Sequence, residues 1–329
     1  MLHEAIEDER AWKRETLHPE DWLVPLPPAC VAELDEIVRF LRKYPRPVWH
    51  LAPEAFDLRA CASVMAQVRA QVQHHVGLAV VDRVPVERYS EKENRAIGWL
   101  LAALIMGQVV PQKWDGTLLY DVKGFGQPLE YGVRRSVTNL AQPFHTDGGW
   151  LWTPPACVGL FCLQPAQQGG VSRLVSLLTV HNELRRRHPD LLARLYSPFW
   201  WDGQAEHALD YVRVSRYPVY EYDGDTLMAR YYEDYVFKGY RLAGARLDAA
   251  GAAALAAMRT IVDAPENWVE CRLAQGQLQY INNRQFAHAR TTFVDVPGVS
   301  APRHMLRLWN RDEGTQDLEG QEDGAVLDL

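Results

Sequence analysis

The chain has 329 residues, 47% of them hydrophobic, enough to bury a sizeable core, and a formal net charge of -7 without any long Lys/Arg run, which argues against nucleic acid as a partner. The longest apolar stretch, Trp99 to Met106, is far too short to span a bilayer, so no membrane partner is expected. The five cysteines, Cys30, Cys61, Cys157, Cys162 and Cys271, are odd in number and contain no CxxC, which argues against a disulfide framework or zinc knuckle and suggests reduced, mostly buried thiols in a cytoplasmic setting.

In chain order, MLHEAIEDERAWKRE is charged throughout and lacks the apolar centre of a signal peptide. Residues 1–30 read as a charged, Pro-punctuated arm on the surface. The segment 31–44 places Leu34, Ile37, Val38 and Leu41 at helical spacing, and LRACASVMAQVRAQV repeats the pattern, giving two packing helices. GLAVVDRVPV (77–86) is β-branched and short, as a buried strand would be. Ser90-Glu91-Lys92-Glu93 matches a capping box opening a helix through Met106.

From about residue 130 the chain becomes strand-rich and Gly-punctuated, with VTNLAQPFHTD, CVGLFCLQ, VSRLVSL, VECRLAQGQLQYINNR and RHMLRLW as the clearest segments. Gly169-Gly170 between two of them predicts a hairpin turn. VHNELRRRHPDLLARLY predicts two helices broken at Pro189, and LDAAGAAALAAMRTIV another helix. The acidic end of the chain is expected to fray. A rolled antiparallel β core with helices outside follows, because such a barrel brings strands distant in sequence to one rim.

His145-Thr146-Asp147, with His288 far downstream, carries the chemistry. Two imidazoles and one carboxylate form a facial triad that leaves half of an octahedral iron(II) shell open. His-x-acid also occurs as His188-Pro189-Asp190, His181-Asn182-Glu183 and His18-Pro19-Glu20, so spacing alone decides nothing. Residues i and i+2 share a face only in extended chain. His181 and His188 fall in or beside helices, whereas His145 ends an extended stretch. In RHMLRLW, Arg303, Met305, Arg307 and Trp309 share one parity of a strand, and a buried guanidinium calls for an anion. Trp150, three residues past Asp147, is placed to line a substrate opening; Trp200-Trp201 reads as packing. Asn282-Asn283-Arg284 reads as a turn that supports the metal-bearing strand.

PFHTDGGW, GGVSRLVS, NNRQFAHARTTF and RHMLRLW, in this order, resemble the taurine dioxygenase/clavaminate synthase (TauD/TfdA) superfamily of iron(II)- and 2-oxoglutarate-dependent oxygenases over roughly residues 77–312. The resemblance implies a mainly β fold with α, a double-stranded β-helix (jelly-roll) core covered by helices. It implies Fe(II) on His145, Asp147 and His288, 2-oxoglutarate held by Arg303 and by Ser172 where the family commonly has Thr, and O2 as the oxidant. Arg307, at the position of a second family arginine, and Trp150 are then substrate-binding. The expected reaction oxidises an unactivated C–H bond of a carboxylate- or amino-acid-like small molecule and releases succinate and CO2, with hydroxylation as the default and desaturation or cyclisation as further outcomes. Asp147 argues against halogenation, since family halogenases lack that carboxylate.

Because the proposed ligands span 145 to 288, the chain is read as a single oxygenase domain (1–329), with an N-terminal arm and packing helices (1–76), a jelly-roll core with insertions (77–312) and an acidic tail (313–329). The same His/Asp/His set would suit a zinc-dependent hydrolase, which needs no buried dicarboxylate clamp. A jelly-roll protein that binds a small molecule without catalysis is the third reading. A homo-oligomer is left open.

Overall fold

The computed structural model of the protein describes residues 1–124, 134–206, 213–295, 298 and 301–321. Strand β1 (Leu23–Pro25) precedes helices α1 (Pro28–Lys43) and α2 (Arg59–His74), and β2 (Leu78–Asp82) leads into α3 (Glu91–Ile105). Strands β3 (Gln108–Val110), β4 (Tyr120–Val122), β5 (Gln142–His145), β6 (Cys157–Gln164), β7 (Gln168–Gly169) and β8 (Ser172–Ser176) follow. An excursion comprises α4 (Leu177–Arg187), α5 (Pro189–Leu195), β9 (Phe199–Asp202), β10 (Val214–Tyr217), β11 (Tyr220–Tyr222), β12 (Leu227–Ala229), α6 (Glu233–Leu242) and α7 (Ala249–Val262). The chain returns through β13 (Trp268–Cys271), β14 (Leu278–Asn282), β15 (Phe286–Arg290), β16 (Phe293–Val294) and β17 (His304–Arg311).

Two sheets make the jelly roll. The larger runs β1-β2-β14-β6-β17-β3 with β4 also on β17; the smaller runs β13-β8-β15-β5. Residue parity explains why the larger sheet reads as nearly continuous apolar sequence. In β2, Leu78 and Val80 join the core between the sheets while Ala79 and Val81 join a second core under α1, α2 and α3. In β17, Met305 and Trp309 face the first core and Leu306 and Leu308 the second. A strand buried on both faces has no polar side to show. The capping box forms as the sequence predicts: the Glu93 carboxylate accepts from Ser90 N–H at 2.7 Å and Ser90 Oγ from Glu93 N–H at 3.4 Å. Pro189 opens α5 with His188 at its cap.

Three expectations need correction. The N-terminal arm is not merely on the surface: Trp12, Leu17 and Trp22 are buried in the main core. Trp12 Nε1 donates to Val76 O at 2.9 Å, and β1 adds in parallel to β2. Large indoles among charged neighbours anchor an arm that composition alone assigns to solvent. Gly169-Gly170 do not close a hairpin, because β6 and β8 lie in different sheets and β7 pairs with β16 instead. The glycines serve close approach: a Cβ on Gly169 would lie 2.0 Å from Thr292 O. Thirdly, the described part of the acidic tail is tied down, with the Arg311 guanidinium donating to the carbonyls of Thr315, Asp317 and Leu318, and Thr153 N–H to Glu319 O. Residues 322–329 lie outside the described residues. All five cysteines are free and buried, and among the described residues no helix is long and apolar enough to cross a membrane.

Candidate metal centre and its cleft

β5 and β15 are antiparallel neighbours, and their register sets His145 directly opposite His288. The two imidazoles stand 4.2 Å apart between ring centroids. Just beyond β5 the chain stays extended for one residue: Thr146 N–H donates to Tyr231 O at 2.7 Å, and Thr146 Oγ1 accepts from Tyr231 N–H at 3.0 Å. Thr146 thus faces away, and Asp147 returns to the side of His145. Gly148, at φ +67°, then turns the chain.

One ligand atom from each of His145, Asp147 and His288 lies within 4.8 Å of the others. The local chemistry suits a divalent cation. His145 Nδ1 lies 2.9 Å from Pro143 O, which keeps the ring proton on Nδ1 and puts the lone pair on Nε2, the atom that would ligate. Gln142 Nε2 sits 2.8 Å from that Nε2. His288 Nδ1 is buried with no hydrogen-bond partner among the described residues. Burial, then His145 and Arg307, push the His288 imidazole down to about 3 against the pull of Asp147, so the ring is neutral at pH 7, as a metal ligand must be. Burial disfavours the Asp147 carboxylate, but Arg307, His145 and His288 outweigh it and hold the group well below the usual range.

Asp147 is gripped from three directions. Trp309 Nε1 donates to Oδ2 at 2.9 Å, and Arg307 Nη1 lies 3.2 Å from Oδ1 and 3.0 Å from Oδ2. Behind it, the amide of Asn283 accepts from Asp147 N–H at 2.8 Å and donates to the carbonyls of Asp147 at 2.9 Å and Pro155 at 3.0 Å. The Asn-Asn-Arg turn therefore supports the acid-bearing loop. Arg230, on the excursion, donates to carbonyls of Gly149, Leu151 and Trp152 and fixes the loop beyond.

A cleft opens beside these residues, bordered by Arg134, Trp150, Tyr232, Tyr235 and Arg307. The Tyr232 and Tyr235 rings pack tilted, 4.0 Å apart between centroids, and Trp150 packs on Tyr235 at 5.6 Å, its buried Nε1 without a hydrogen-bond partner among the described residues. Arg307 is locked by Gln112, whose Oε1 accepts from Nε at 2.7 Å and whose Nε2 donates to Arg307 O at 2.8 Å. Arg307 Nη2 is buried with no hydrogen-bond partner among the described residues. Arg134 makes a buried ion pair with Glu206 at 2.8 Å, and both Arg134 and Arg307 lie against the Tyr120 ring.

Arg303 and Ser172 lie away from this cleft. Arg303 passes beside Gly170, two residues before Ser172, where a Cβ would come within 3.2 Å of Nε. Nε has no hydrogen-bond partner among the described residues, and Nη1 is 3.4 Å from Val122 O. A register shift between His304 and Met305 follows Arg303, so Arg303 precedes the regular strand rather than belonging to it. The decoy histidines do not join the centre: His181 is buried beside Tyr196 and Tyr220, and His188 caps α5. Trp201 is fully buried in the core, as packing requires. The segments 110–140 and 197–240 contribute Arg134 and Tyr232 to the cleft; their 125–133 and 207–212 portions lie outside the described residues. Sequence reasoning passed over Gln112, Arg134, Asn283 as a clamp on Asp147 specifically, and Trp309 as a donor. Only Trp309 carried a signal, since it shares the inward parity of Arg307.

The family model described as "Taurine catabolism dioxygenase TauD, TfdA family" matches residues 42–309. FR-33289 synthase of Streptomyces rubellomurinus is 26% identical over 323 residues, covering 96% of this chain and 93% of that protein. Uridine-5'-phosphate dioxygenase of an Amycolatopsis species is 26% identical over 254 residues, covering 74% of this chain and 87% of that protein. Among solved structures, asparagine oxygenase in complex with Fe(II), 2S,3S-3-hydroxyasparagine and succinate superposes with a TM-score of 0.65 at 18% identity, covering 88% of this chain and 94% of that one. At that identity the likeness shows the shared fold.

Proposed function

Because the chain belongs to the taurine catabolism dioxygenase TauD, TfdA family, and is an iron(II)- and 2-oxoglutarate-dependent dioxygenase, we propose that His145, Asp147 and His288 ligate its iron. In the same reading, Arg303 and Ser172 hold the distal carboxylate of 2-oxoglutarate, and Arg307 and Trp150 meet the substrate. The observation that carries this reading is the register of β5 on β15, which brings His145, His288 and Asp147 to one point. When bound, iron(II) with 2-oxoglutarate and O2 supplies the oxidising power that attacks an unactivated C–H bond, releasing succinate and CO2.

The residues of this chain position and shield that chemistry. Trp309 fixes where the Asp147 carboxylate points and Asn283 holds the main chain that carries it, and partners of this kind tune metal affinity. Arg307 serves two groups at once: Nη1 orients Asp147, while unpaired Nη2 faces an incoming anion. Tyr232, Tyr235 and Trp150 supply an apolar wall that excludes water.

The substrate is a small molecule with an anionic group. Arg134 and Arg307 both border the cleft, and Nε of the first and Nη2 of the second have no hydrogen-bond partner among the described residues. A planar oxyanion is the ligand such groups accept best. The names of two relatives support an anion or zwitterion, since uridine-5'-phosphate carries a phosphate and asparagine a carboxylate. The default outcome is hydroxylation. Five unpaired thiols and a net charge of -7 support a reducing, cytoplasmic setting and no nucleic-acid partner. A screen of amino acids, carboxylates, phosphates and phosphonates for substrate-stimulated succinate release tests the reading. Stimulation by an anionic compound, lost on removing its charged group, is expected; stimulation only by neutral compounds would overturn the substrate class.

A further inference from the structure

Arg290 is two residues beyond His288 on β15, so both side chains leave the same face of the strand. Its register partner across the sheet is Ser172. The side chain is 7% exposed. Nη2 is satisfied by main-chain carbonyls, including Thr138 O at 2.9 Å and Leu140 O, but Nε and Nη1 are buried with no partner among the described residues. Arg303, 3% exposed, is the neighbouring cation: the two guanidinium carbons flank one ring, 4.9 Å and 5.2 Å from the centroid of Phe293. Neither guanidinium has a carboxylate at ion-pair distance among the described residues. Asp295, the nearby acid, spends Oδ2 on the backbone N–H of Arg303 at 2.9 Å.

Two buried like charges sharing one hydrophobic ring repel each other and pay a desolvation cost, and an anion between them removes both penalties. A hydroxyl at Ser172 completes the set of donors. We infer that Arg290 is a second guanidinium of the 2-oxoglutarate subsite, acting with Arg303 and Ser172 on the distal carboxylate while its Nη2 stays anchored to the 138–140 main chain. This inference rests on the proposed placement of the cosubstrate at Arg303. It makes Arg290 a residue that selects for the second carboxylate, and the residue assigned by resemblance alone becomes half of a pair.

The test uses the full chain loaded with Mn(II) under anaerobic conditions. Binding of 2-oxoglutarate and of 2-oxobutanoate, which shares the keto-acid end but lacks the distal carboxylate, is followed by tryptophan fluorescence and calorimetry. In Arg290→Gln the dissociation constant for 2-oxoglutarate should rise about tenfold, the scale of one charge-assisted pair, while that for 2-oxobutanoate changes less than twofold. Arg290→Lys keeps the charge but loses the planar fork, and should show a smaller loss, again confined to 2-oxoglutarate; this variant carries the test should the glutamine variant fail to fold. Equal weakening of both ligands would overturn the proposal and make Arg290 a support for the 138–140 segment. Selective loss in Arg303→Gln with none in either Arg290 variant would overturn it while leaving Arg303 in place. If the unaltered protein bound both ligands equally, the placement of the cosubstrate at Arg303 would fall as well.

Discussion

Replacing Asn283 with Asp changes one NH2 to one oxygen at a position that is 1% exposed, so packing is preserved and hydrogen bonding is not. The Oδ1 that accepts from Asp147 N–H survives, whereas the two donations to Asp147 O and Pro155 O are lost. Each buried carbonyl left without a donor costs about 1–3 kcal/mol, so the metal-free protein should lose about 2–6 kcal/mol, less if the new carboxyl takes up a proton and restores one bond. The loop that presents Asp147 loosens at the same time, and loss of such a supporting contact typically weakens metal binding about 10–100-fold. These effects separate in unfolding experiments. At a free Mn(II) concentration 100 times the wild-type Kd, metal stabilises the wild type by about 2.7 kcal/mol; with a Kd 10–100-fold weaker, the increment falls to about 1.4–0.4 kcal/mol. Urea unfolding of wild type and Asn283→Asp, with and without Mn(II), measures both. Equal metal increments in the two proteins would refute the claim that Asn283 positions Asp147, even if the variant were less stable.

Trp309→Phe removes the Nε1 donor from Asp147 Oδ2, and an Mn(II) titration should show about tenfold weaker metal binding; unchanged affinity would leave Trp309 as core alone. Arg303→Leu should raise the apparent 2-oxoglutarate Kd at least tenfold, about 1.4 kcal/mol, with metal affinity intact. Arg307→Leu should weaken both metal binding and substrate-triggered turnover, because Arg307 touches Asp147; an effect on substrate alone would show that this contact is dispensable. His181 is buried beside Tyr196 and burial pushes it down to about 4. The unfolded chain therefore binds a proton that the native state refuses between pH 6.5 and about 4, so stability should fall as pH drops through that window. His288, pushed down to about 3, adds to the same loss in the metal-free protein, so His181→Phe should reduce but not abolish this part of the slope measured by urea unfolding; an unchanged slope would remove His181 as a source of it.

The sequence carried the fold where periodicity had one reading. Leu34, Ile37 and Val38 spaced the first helix, and the Ser90–Glu93 box located the start of α3. It also singled out the residues that β5 and β15 bring together, His145, Asp147 and His288, because His-x-Asp at the end of an extended stretch differs physically from His-x-acid in a helix. What it could not carry was contact across long separations. Nothing local marks Gln112 as the clamp on Arg307, a contact between residues 195 apart, or Arg230 as the brace of the loop after Asp147. Arg307 was legible as a buried cation facing inward, yet its grip on Asp147 depends on the fold of β17 against the end of β5. The arm failed for a related reason: charge dominates its composition, while two indoles decide where it goes.

The most direct test of the metal centre is anaerobic addition of Fe(II) and 2-oxoglutarate to the metal-free protein, followed by visible absorption. The wild type should develop a weak charge-transfer band that saturates at one equivalent of iron, and His145→Ala, Asp147→Ala and His288→Ala should each abolish it, while His188→Ala leaves it intact. A band that persists at full intensity in His288→Ala would contradict the assignment of β15 to the metal.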